Sequence, residues 1–321
     1  MLAHPMAAPG DRFVVSVFGP ASLSNLGPGF DAVGLAIEGI GDVIEARWSE
    51  TPGVSVEAGE GAEGVPLEPE RNTAARAAMA TLHQLESERG VVLRIKKGIR
   101  PGSGIGSSAA SAVAGAWAVN VLHGSVLAKE DLVGAVLAGE QIASGTRHGD
   151  NVLPALFGGL VLVSSTEPER YRRLALPRPL PIALIQPDVR VLTKAARAML
   201  PSQVPLRDAI HNASALAFLI DAFHAGDWET VGRNIMQDRL VEPVRATLLP
   251  CYEAVRTAAL EAGAYGCALS GSGPAMFAIA ETEEACADVL SAMQEACRCT
   301  GVASQGRVTR ACASGAHTLS S

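Results

Sequence analysis

Residues 101–111 read Pro-Gly-Ser-Gly-Ile-Gly-Ser-Ser-Ala-Ala-Ser. A strand-like run, Val91-Val-Leu-Arg-Ile95, and two lysines come before this stretch, and Ala-rich sequence from Ala109 to Leu122, which predicts a helix, follows it. The order is therefore strand, glycine-rich loop and helix N-terminus. Glycines let the backbone approach a ligand closely, and the first turn of a helix presents N–H groups and a positive dipole end. This arrangement is typical of a loop that holds a chain of phosphate groups.

Two familiar nucleotide-binding patterns do not fit the loop. A P-loop ends in Gly-Lys-Ser/Thr at a fixed spacing, which is missing here. Gly102, Gly104 and Gly106 do not follow G-x-G-x-x-G, and no acidic residue stands where a dinucleotide site needs one for the ribose. Taken by itself, the segment is also compatible with a flexible loop in which Ser107 or Ser108 caps the following helix, because Gly-Ser clusters are often only connections between elements.

Composition and charge bound the class of protein. The 321 residues suggest two domains, and 48% hydrophobic with 18% charged residues describes a globular chain with ample core. A net charge of −7 makes the chain a poor general binder of nucleic acid or anionic membrane. With only 4% aromatic residues, it also lacks stacking platforms for single strands. A polyanionic ligand would need local donors, which the glycine loop supplies.

Targeting signals and cysteine usage indicate a cytoplasmic protein. No apolar run is long enough to span a bilayer, and the first ten residues lack the basic start and apolar stretch of a signal peptide. All six cysteines lie in the C-terminal part, and Cys297-Arg-Cys299 has no partner pair at zinc-site spacing. We therefore expect free thiols.

Hydrophobic periodicity predicts alternating strands and helices along the chain. Residues 53–70, rich in Gly, Glu and Pro, predict an exposed loop, and the polar run 164–177 marks a boundary between domains 1–165 and 166–321. Strands are expected at 14–18, 35–37, 42–46, 158–163, 182–186 and 306–310, and a strand–turn–strand unit at 266–280. Helices are expected at 72–83, 129–143, 206–225, 228–236, 246–262 and 282–296.

Three motifs together resemble those of the GHMP kinases, the family of galactokinase, homoserine, mevalonate and phosphomevalonate kinases. The glycine loop resembles the family's phosphate loop. Pro20-Ala-Ser-Leu-Ser-Asn-Leu-Gly-Pro-Gly-Phe-Asp-Ala-Val-Gly-Leu-Ala36 resembles its first motif, and Cys267-Ala-Leu-Ser-Gly-Ser-Gly-Pro-Ala275 its third. The order matches, and the motifs span most of the chain.

The resemblance implies an α+β fold of two domains. The first is ribosomal-protein-S5-domain-2-like and binds ATP, the second is ferredoxin-like, and nucleotide and substrate lie in the cleft between them. A homodimer is common among such kinases.

A narrower pattern resembles the homoserine kinases within this family. It covers Glu140, a following Ser-Gly, and His148-Gly-Asp-Asn-Val-Leu-Pro-Ala155. The departures are small: Gly149 stands where Ala is common, and Ser22 and Ser24 replace residues that are often Thr-Ser or Ser-Ala. None removes a charged group. The resemblance implies an ATP-dependent kinase for the side-chain hydroxyl of L-homoserine, in threonine biosynthesis.

The resemblance also implies roles for individual residues. Magnesium takes hard oxygen ligands, and Ser108 and Glu140 stand at the family's metal positions. Asp31 faces the ammonium of the amino-acid substrate, and Arg197 and Arg245 pair with its carboxylate. Asn25, His148 and Asn151 orient the substrate, with Asn25, Asn151 and Arg197 as the catalytic set. The implied ATP-binding set is Asn72, Pro101, Gly102, Ser103, Gly104, Ile105, Gly106, Ser107, Ser108, Ala109, Gly271 and Gly273.

Each of these residues also has an ordinary structural interpretation. Asn25 and Asp31 suit turns, Asn72 suits a helix N-cap, and Gly271 and Gly273 suit a plain hairpin. Glu140 and the two arginines are of types that usually lie on the surface.

The proton acceptor is a separate question, because Asn151 stands where mevalonate-type relatives have an Asp. Asn cannot act as a base, so we expect catalysis without a dedicated carboxylate base, although Asp150 is adjacent.

Two other functions remain open from the sequence. One is another GHMP kinase, such as a mevalonate-pathway enzyme, whose substrate has a carboxylate but no ammonium group. The other is a non-catalytic nucleotide sensor on the same fold, which would not need Ser108 and Glu140.

Overall fold

The computed structural model describes residues 15–320, and in them a seven-stranded sheet comes first. Its strands are β1 (Val15–Ser24), β2 (Val33–Ser49), β3 (Val54–Ala58), β4 (Gly90–Lys96), β5 (Leu160–Val163), β6 (Tyr171–Leu174) and β11 (His317–Thr318). The order is β11-β1-β2-β4-β3, with β5 beside the start of β2 and β6 beside β5. Strands β3 and β4 are parallel, and the other pairs are antiparallel.

Four helices accompany this sheet: α1 (Thr73–Gln84), α2 (Ser107–Leu122), α3 (Val133–Ser144) and α4 (Val152–Phe157). Helix α2 is buried over most of its surface because alanines allow close approach on several sides. Its Ala114 and Ala118 contact the strands, whereas Ala109 and Ala112 pack with α3 and α4 residues. The sheet and helices thereby fix the start of α2, where the glycine loop ends.

A second, antiparallel sheet has the order β10-β7-β9-β8. Its strands are β7 (Pro181–Pro187), β8 (Gly266–Leu269), β9 (Met276–Ile279) and β10 (Ser304–Arg310). The helices of this part are α5 (Thr193–Ala198), α6 (Leu206–Ala225), α7 (Trp228–Ile235), α8 (Glu242–Ala246), α9 (Tyr252–Glu261) and α10 (Glu283–Cys299). Helices α9 and α10 bury their apolar residues against one face of the sheet, and α6 and α7 against the other.

The two sheets share one apolar core. Leu23 and Ile37 of the first sheet belong to the same buried cluster as Leu184 and Phe277 of the second. The last strands also connect them, since Thr309 of β10 donates its hydroxyl to the carbonyl oxygen of Glu38 at 2.8 Å. The two sheets are therefore packed together through a continuous hydrophobic core.

Several segments differ from the sequence prediction. Within the polar run 164–177, Tyr171–Leu174 forms β6. Val54–Ala58, expected within a loop, is the edge strand β3, because Val54 and Val56 pack partly against the core. The strands expected at 35–37 and 42–46 are parts of β2, which stays paired with β1 across a register shift near Pro20. The helix expected at 246–262 begins at Tyr252, since Pro250 cannot continue the hydrogen bonding of a helix.

The domain boundary at residue 165 stays a prediction. Strands β6 and β11 belong to the first sheet although they come after that residue in the chain. Between residues 15 and 320, no helix is sufficiently long and apolar to cross a membrane.

Candidate active site

A cavity of about 580 Å³ lies where the three sequence motifs meet. It brings together most of the predicted site residues. Those that line it are Asn25, Asp31, Asn72, Pro101, Gly102, Ser103, Gly104, Gly106, Ser107, Ser108, Glu140, His148, Asn151, Arg197, Arg245 and Gly271. Ile105, Ala109 and Gly273 do not line it, and all three are buried.

The glycine loop has the backbone that its sequence predicts. Gly102, Gly104 and Gly106 have φ of 75°, 82° and 71°, in the left-handed region that favours glycine. A side chain at Gly104 would also collide, because its Cβ would lie 2.7 Å from the carbonyl oxygen of Gly273. Gly106 directly precedes α2, whose first turn carries N–H groups without acceptors inside the helix. The loop is thus shaped to present amides to an anion.

The first and third motifs hold this loop from two sides. The amide of Ser22 donates to the carbonyl oxygen of Ile105 at 3.2 Å, and Ser270 Oγ donates to that of Gly104 at 2.7 Å. The two motifs also meet directly, since Asn25 Nδ2 donates to the carbonyl oxygen of Gly271 at 3.1 Å. The three sequence patterns therefore form one structural unit.

The turn after β1 carries unusual backbone conformations. Asn25, Leu26 and Asp31 have φ of 71°, 50° and 56°, although none is glycine. Such conformations cost roughly 1–3 kcal/mol each and persist where surrounding structure imposes them, often at functional sites. They aim Asn25 and Asp31 into the cavity.

Ser108 and Glu140 form the candidate metal site. Ser108 Oγ donates to Glu140 Oε2 at 2.8 Å, which joins the first turn of α2 to α3. Burial raises the pKa of Glu140 from its usual 4.5 to about 8, while the Ser108 hydrogen bond acts in the opposite direction. Adjacent ligands of an octahedral Mg²⁺ lie about 3 Å apart, so this pair fits one such ion.

The remaining magnesium ligands would have to come from phosphate and water. Over residues 15–320, no group of three or more His, Cys, Asp or Glu side chains is arranged to hold a metal ion. Mg²⁺ at nucleotide sites commonly uses one or two protein oxygens together with phosphate oxygens. The donor set therefore suits a nucleotide-bound ion rather than a permanently bound one.

Asp31, Arg197 and Arg245 lie together in the same cavity. Arg197 donates to both carboxylate oxygens of Asp31, with N–O distances of 2.9 and 2.7 Å. Arg245 is buried and donates to the carbonyl oxygen of Gly271 at 2.8 Å. The ring centre of Phe30 lies 5.1 Å from the Arg197 guanidinium and 5.0 Å from that of Arg245. Two positive groups and one negative group thus line the same cavity.

His148 and Asn151 complete this region. His148 Nδ1 lies 3.8 Å from Asp31 Oδ2, and burial lowers the pKa of the imidazole more than Asp31 raises it. Asn151 Oδ1 accepts a hydrogen bond from Ser22 Oγ at 2.9 Å. Asn151 therefore lies against the first motif at the N-terminus of α4.

Comparisons with known proteins decide the family. The GHMP kinases N-terminal domain model matches residues 72–159, and the GHMP kinases C-terminal model matches residues 219–299. The homoserine kinase of Pyrococcus abyssi is 42% identical over 92% of this chain and 96% of its own length. That of Methanocella arvoryzae is 41% identical over 92% of this chain and 94% of its own. This chain belongs to the homoserine kinase group of the GHMP kinase family.

Solved structures agree with this assignment. A crystal structure of homoserine kinase from Cytophaga hutchinsonii covers 98% of this GHMP kinase and 100% of its own chain, with a TM-score of 0.92 and 36% identity. Mevalonate kinase of L. major, crystallised with R-mevalonate, has a TM-score of 0.72 at 19% identity, covering 92% of this chain and 94% of its own. The expected two-domain GHMP-kinase fold is confirmed, and the chain is a phosphotransferase.

Asn72 is the N-cap of α1 in this GHMP kinase, as its position in the sequence allows. Its Oδ1 accepts from the amide of Ala75 at 3.1 Å and so caps α1, and its Nδ2 donates to the carbonyl oxygen of Pro66 at 2.7 Å. The side chain still lines the cavity. Its contact with adenine stays a prediction.

Asp150 is a cavity residue that the predicted site set did not include. It is buried, and burial raises the pKa of its carboxyl to about 7, with a further contribution from the charge of Asp31. Only its position beside Asn151 could have identified Asp150 as a site residue from the sequence, because a local sequence pattern does not show whether a carboxylate is buried.

A buried ion pair beneath the glycine loop was also missed. Lys97 Nζ contacts Asp42 and donates to Ser107 Oγ at 2.7 Å and Ser111 Oγ at 3.0 Å. Asp42 Oδ1 accepts from the amides of residues 98 and 99 at 3.2 and 3.1 Å. The pair therefore joins the start of the loop to the start of α2. In the sequence, Lys97 could have been suspected only because it precedes the glycine loop. Nothing in the sequence distinguishes Asp42 from other strand residues.

Proposed function

We propose that this GHMP kinase transfers the γ-phosphoryl group of ATP to the side-chain hydroxyl of L-homoserine, making O-phospho-L-homoserine for threonine biosynthesis. One observation carries the proposal: a single cavity contains both the glycine loop and the opposite charges of Asp31, Arg197 and Arg245. The homoserine kinase names of the similar proteins support the choice of substrate.

The charged groups suit a substrate that carries both charges. Asp31 and Arg197 form an ion pair with each other. A zwitterionic amino acid offers each a replacement partner, its ammonium for Asp31 and its carboxylate for Arg197 and Arg245. A carboxylate without an ammonium group would draw Arg197 away and leave Asp31 unpaired close to the buried Asp150, which is unfavourable. The arrangement thus favours homoserine over mevalonate.

The nucleotide end of the proposal rests on the loop and on α2. The amides of residues 102–109, which include the N-terminus of α2, would hold the triphosphate, with Pro101 at the start of the loop, Gly271 and Gly273 closing over it and Asn72 near adenine. Ser108 and Glu140 would hold Mg²⁺, which neutralises charge on the transferring phosphoryl group. Phosphoryl transfer depends mainly on such positioning and charge stabilisation.

In this proposal, the substrate is oriented by Asn25, His148 and Asn151. Asn25 is anchored to the third motif and Asn151 to Ser22, so their amide groups are positioned in advance. An amide cannot accept the hydroxyl proton as a base. We therefore propose transfer without a dedicated carboxylate base, with the proton passing to the phosphate.

The remaining expectations are proposals of the same kind. They are the division into ATP-binding residues 1–165 and a C-terminal domain 166–321, a cytoplasmic location, and a homodimer.

ADP release from Mg-ATP tests the function directly. The purified protein is assayed with L-homoserine, L-serine, mevalonate and galactose, and without acceptor. Turnover that requires L-homoserine supports the proposal. Preferred turnover of mevalonate would contradict the assignment of Asp31 and the arginines, and ATP binding without turnover of any acceptor would favour the sensor.

A further inference from the structure

Helix α8 is too short to hold itself in place, yet it carries Arg245 of the active-site cavity. It has only five residues, Glu242–Ala246, and the second of them is a proline. A helix of this length gains too few internal hydrogen bonds to offset the cost of starting a helix. The position of Arg245 must therefore be imposed by groups that contact α8 from other elements.

The start of α8 is attached to α6. Asp238 Oδ2 accepts a hydrogen bond from the amide of Glu242 at 2.7 Å, and Asp238 Oδ1 accepts one from the amide of Leu240 at 2.8 Å. Asn212 of α6 donates its Nδ2 to Asp238 Oδ1 at 2.7 Å, which fixes the orientation of this carboxylate. The first amides of α8 thereby have acceptors, and the helix start is fixed relative to α6.

Glu242 makes a second attachment through a single carboxylate oxygen. Its Oε1 accepts from the hydroxyl of Tyr252 at 2.7 Å and from the amide of Leu269 at 3.0 Å, and both side chains of the Glu242–Tyr252 pair are buried. Burying a carboxyl group is unfavourable unless hydrogen bonds replace its contacts with water. Leu269 ends β8 and directly precedes Ser270 of the third motif. Glu242 therefore joins α8 both to α9 and to the third motif.

The same attachment keeps the carboxyl group of Glu242 away from Arg245. Glu and Arg three residues apart on a helix can pair with each other. In the part of the chain that the structure describes, however, Arg245 makes no ion pair with any carboxylate. Its guanidinium donates to the carbonyl oxygen of Gly271, and its Nε is buried without a hydrogen-bond partner among residues 15–320. The charge of Arg245 thus stays available to a carboxylate that enters the cavity.

We propose that Glu242 is a positioning residue for Arg245: its Oε1 holds α8 against α9 and the third motif, so that the Arg245 guanidinium meets the carboxylate of the amino-acid substrate. Glu242 does not line the cavity and acts only through α8. The inference rests on the proposed function for the identity of that carboxylate. The contacts that hold α8 do not depend on the substrate, and they can be measured without it.

Steady-state kinetics of two substitutions at position 242 test the inference. Glu242→Leu removes the acceptor of both hydrogen bonds and should raise KM for L-homoserine about tenfold or more, while kcat and KM for ATP change less than about threefold, because only binding of the substrate carboxylate is weakened. Glu242→Gln keeps an oxygen that can accept both bonds and should stay within about threefold of the starting protein in all three constants. Glu281→Leu, at an exposed position, is the control and should leave them unchanged.

Two tyrosines give a milder test, which also decides the question if Glu242→Leu does not fold. Tyr252→Phe leaves Glu242 with one of its two donors and should raise KM for L-homoserine about threefold or more without changing KM for ATP. Tyr265→Phe is the matched control, because it removes a hydroxyl bond of the same kind, to Glu281 at 3.2 Å, on the surface. Identical kinetics of the two tyrosine variants would contradict the inference.

Amide hydrogen exchange separates this inference from the proposed reaction. Without substrates, the amide of Leu269, followed in peptides from residues 266–275, should exchange about fivefold faster in Glu242→Leu than in Glu242→Gln, because its acceptor is lost. A starting protein that does not phosphorylate L-homoserine refutes the proposed function alone, and the KM comparison is then made with the acceptor that it does use. Unchanged exchange in Glu242→Leu, or a KM for the acceptor that rises no more than KM for ATP, overturns the role of Glu242.

Discussion

Glu140 and Asp150 are two buried carboxyl groups of one cavity, and their partners distinguish them. Glu140 accepts a hydrogen bond from Ser108 at the start of α2, where the phosphate groups are expected. Asp150 lies close to Asp31 and Arg197, where the amino-acid substrate is expected. The same chemical group, a buried carboxyl, therefore has a proposed metal role in one place and an electrostatic role in the other.

This difference predicts unequal effects of substitution. Glu140→Ala should lower kcat by about 100-fold or more, because removing one charge-stabilising group from a transition state commonly has an effect of this size. Asp150→Ala should fold and keep substantial turnover, since no carboxylate base is proposed. Steady-state kinetics with L-homoserine and far-ultraviolet circular dichroism check both. A loss at Asp150 comparable with that at Glu140, in a folded protein, would identify Asp150 as the base.

Asp31 controls substrate choice in the proposal. Asp31→Asn should lower kcat/KM for L-homoserine by roughly 10–100-fold, because a charge-assisted hydrogen bond contributes about 1.5–3 kcal/mol. KM for ATP should change little. Asp288→Asn, on the exposed side of α10, is the control. Unchanged homoserine kinetics in Asp31→Asn would place the ammonium elsewhere.

The two raised carboxyl pKa values also predict the pH dependence of stability. With pKa values of about 8 and 7, Glu140 and Asp150 hold protons in the folded state that the unfolded chain has already lost. The free energy of unfolding should therefore fall as pH rises, by roughly 1 kcal/mol per pH unit for each group. The Glu140 contribution falls between pH 4.5 and about 8, and the Asp150 contribution between pH 3.8 and about 7. Urea unfolding at several pH values measures this slope.

Variants assign that slope to its source. Glu140→Gln should reduce the slope by roughly 1 kcal/mol per pH unit and leave the contribution of Asp150, whereas Glu253→Gln, at an exposed position on α9, should leave the slope unchanged. An unchanged slope in Glu140→Gln would mean that this carboxyl is already ionised at neutral pH.

At the scale of elements, the glycine loop depends on groups outside it. Asp42 of β2 and Lys97 after β4 hold both ends of the loop, and their side chains are 0% and 4% exposed. Burial raises the pKa of Asp42 and lowers that of Lys97, although each charge favours the other. Removing one partner leaves the other buried without compensation.

Neighbouring lysines give a matched test of this anchor. Lys97→Met should lower the free energy of unfolding by about 3–5 kcal/mol, as expected for breaking a buried pair, and should raise KM for ATP more than KM for L-homoserine. Lys96→Met removes a partly exposed pair with Glu45 and should cost less than about 1 kcal/mol. Urea unfolding and steady-state kinetics measure both. Equal losses in the two variants would show that the buried pair contributes nothing special.

At the scale of the whole molecule, the two sheets are joined by one hydrophobic cluster. Leu35 and Ile37 of β2 belong to it together with Ile182 and Phe277 of the second sheet. Trp228 is buried in the same cluster, whereas Trp48 and Trp117 pack around the first sheet.

This shared core predicts cooperative unfolding of both sheets. A Trp228→Phe variant reports the first sheet by fluorescence, and a Trp48→Phe/Trp117→Phe variant reports the second. Their urea midpoints, each compared with circular dichroism of the same variant, should coincide within error because neither sheet can expose the cluster alone. Two separated transitions within one variant would mean that the sheets unfold independently.

The sequence by itself determined the glycine loop, the order strand–loop–helix and most of the elements. These features are local: positive φ selects Gly102, Gly104 and Gly106, and apolar periodicity selects the helices. The three motifs also sufficed for the family and its fold, because each is a contiguous stretch.

Only the tertiary structure decided which polar groups meet and which are buried. Asp31 pairs with Arg197, 166 residues away, and Asp42 pairs with Lys97 across two strands. Strand β3 likewise forms only because β4 offers it an edge. Such pairings depend on desolvation and on packing between distant segments, and a local sequence pattern carries information about neither.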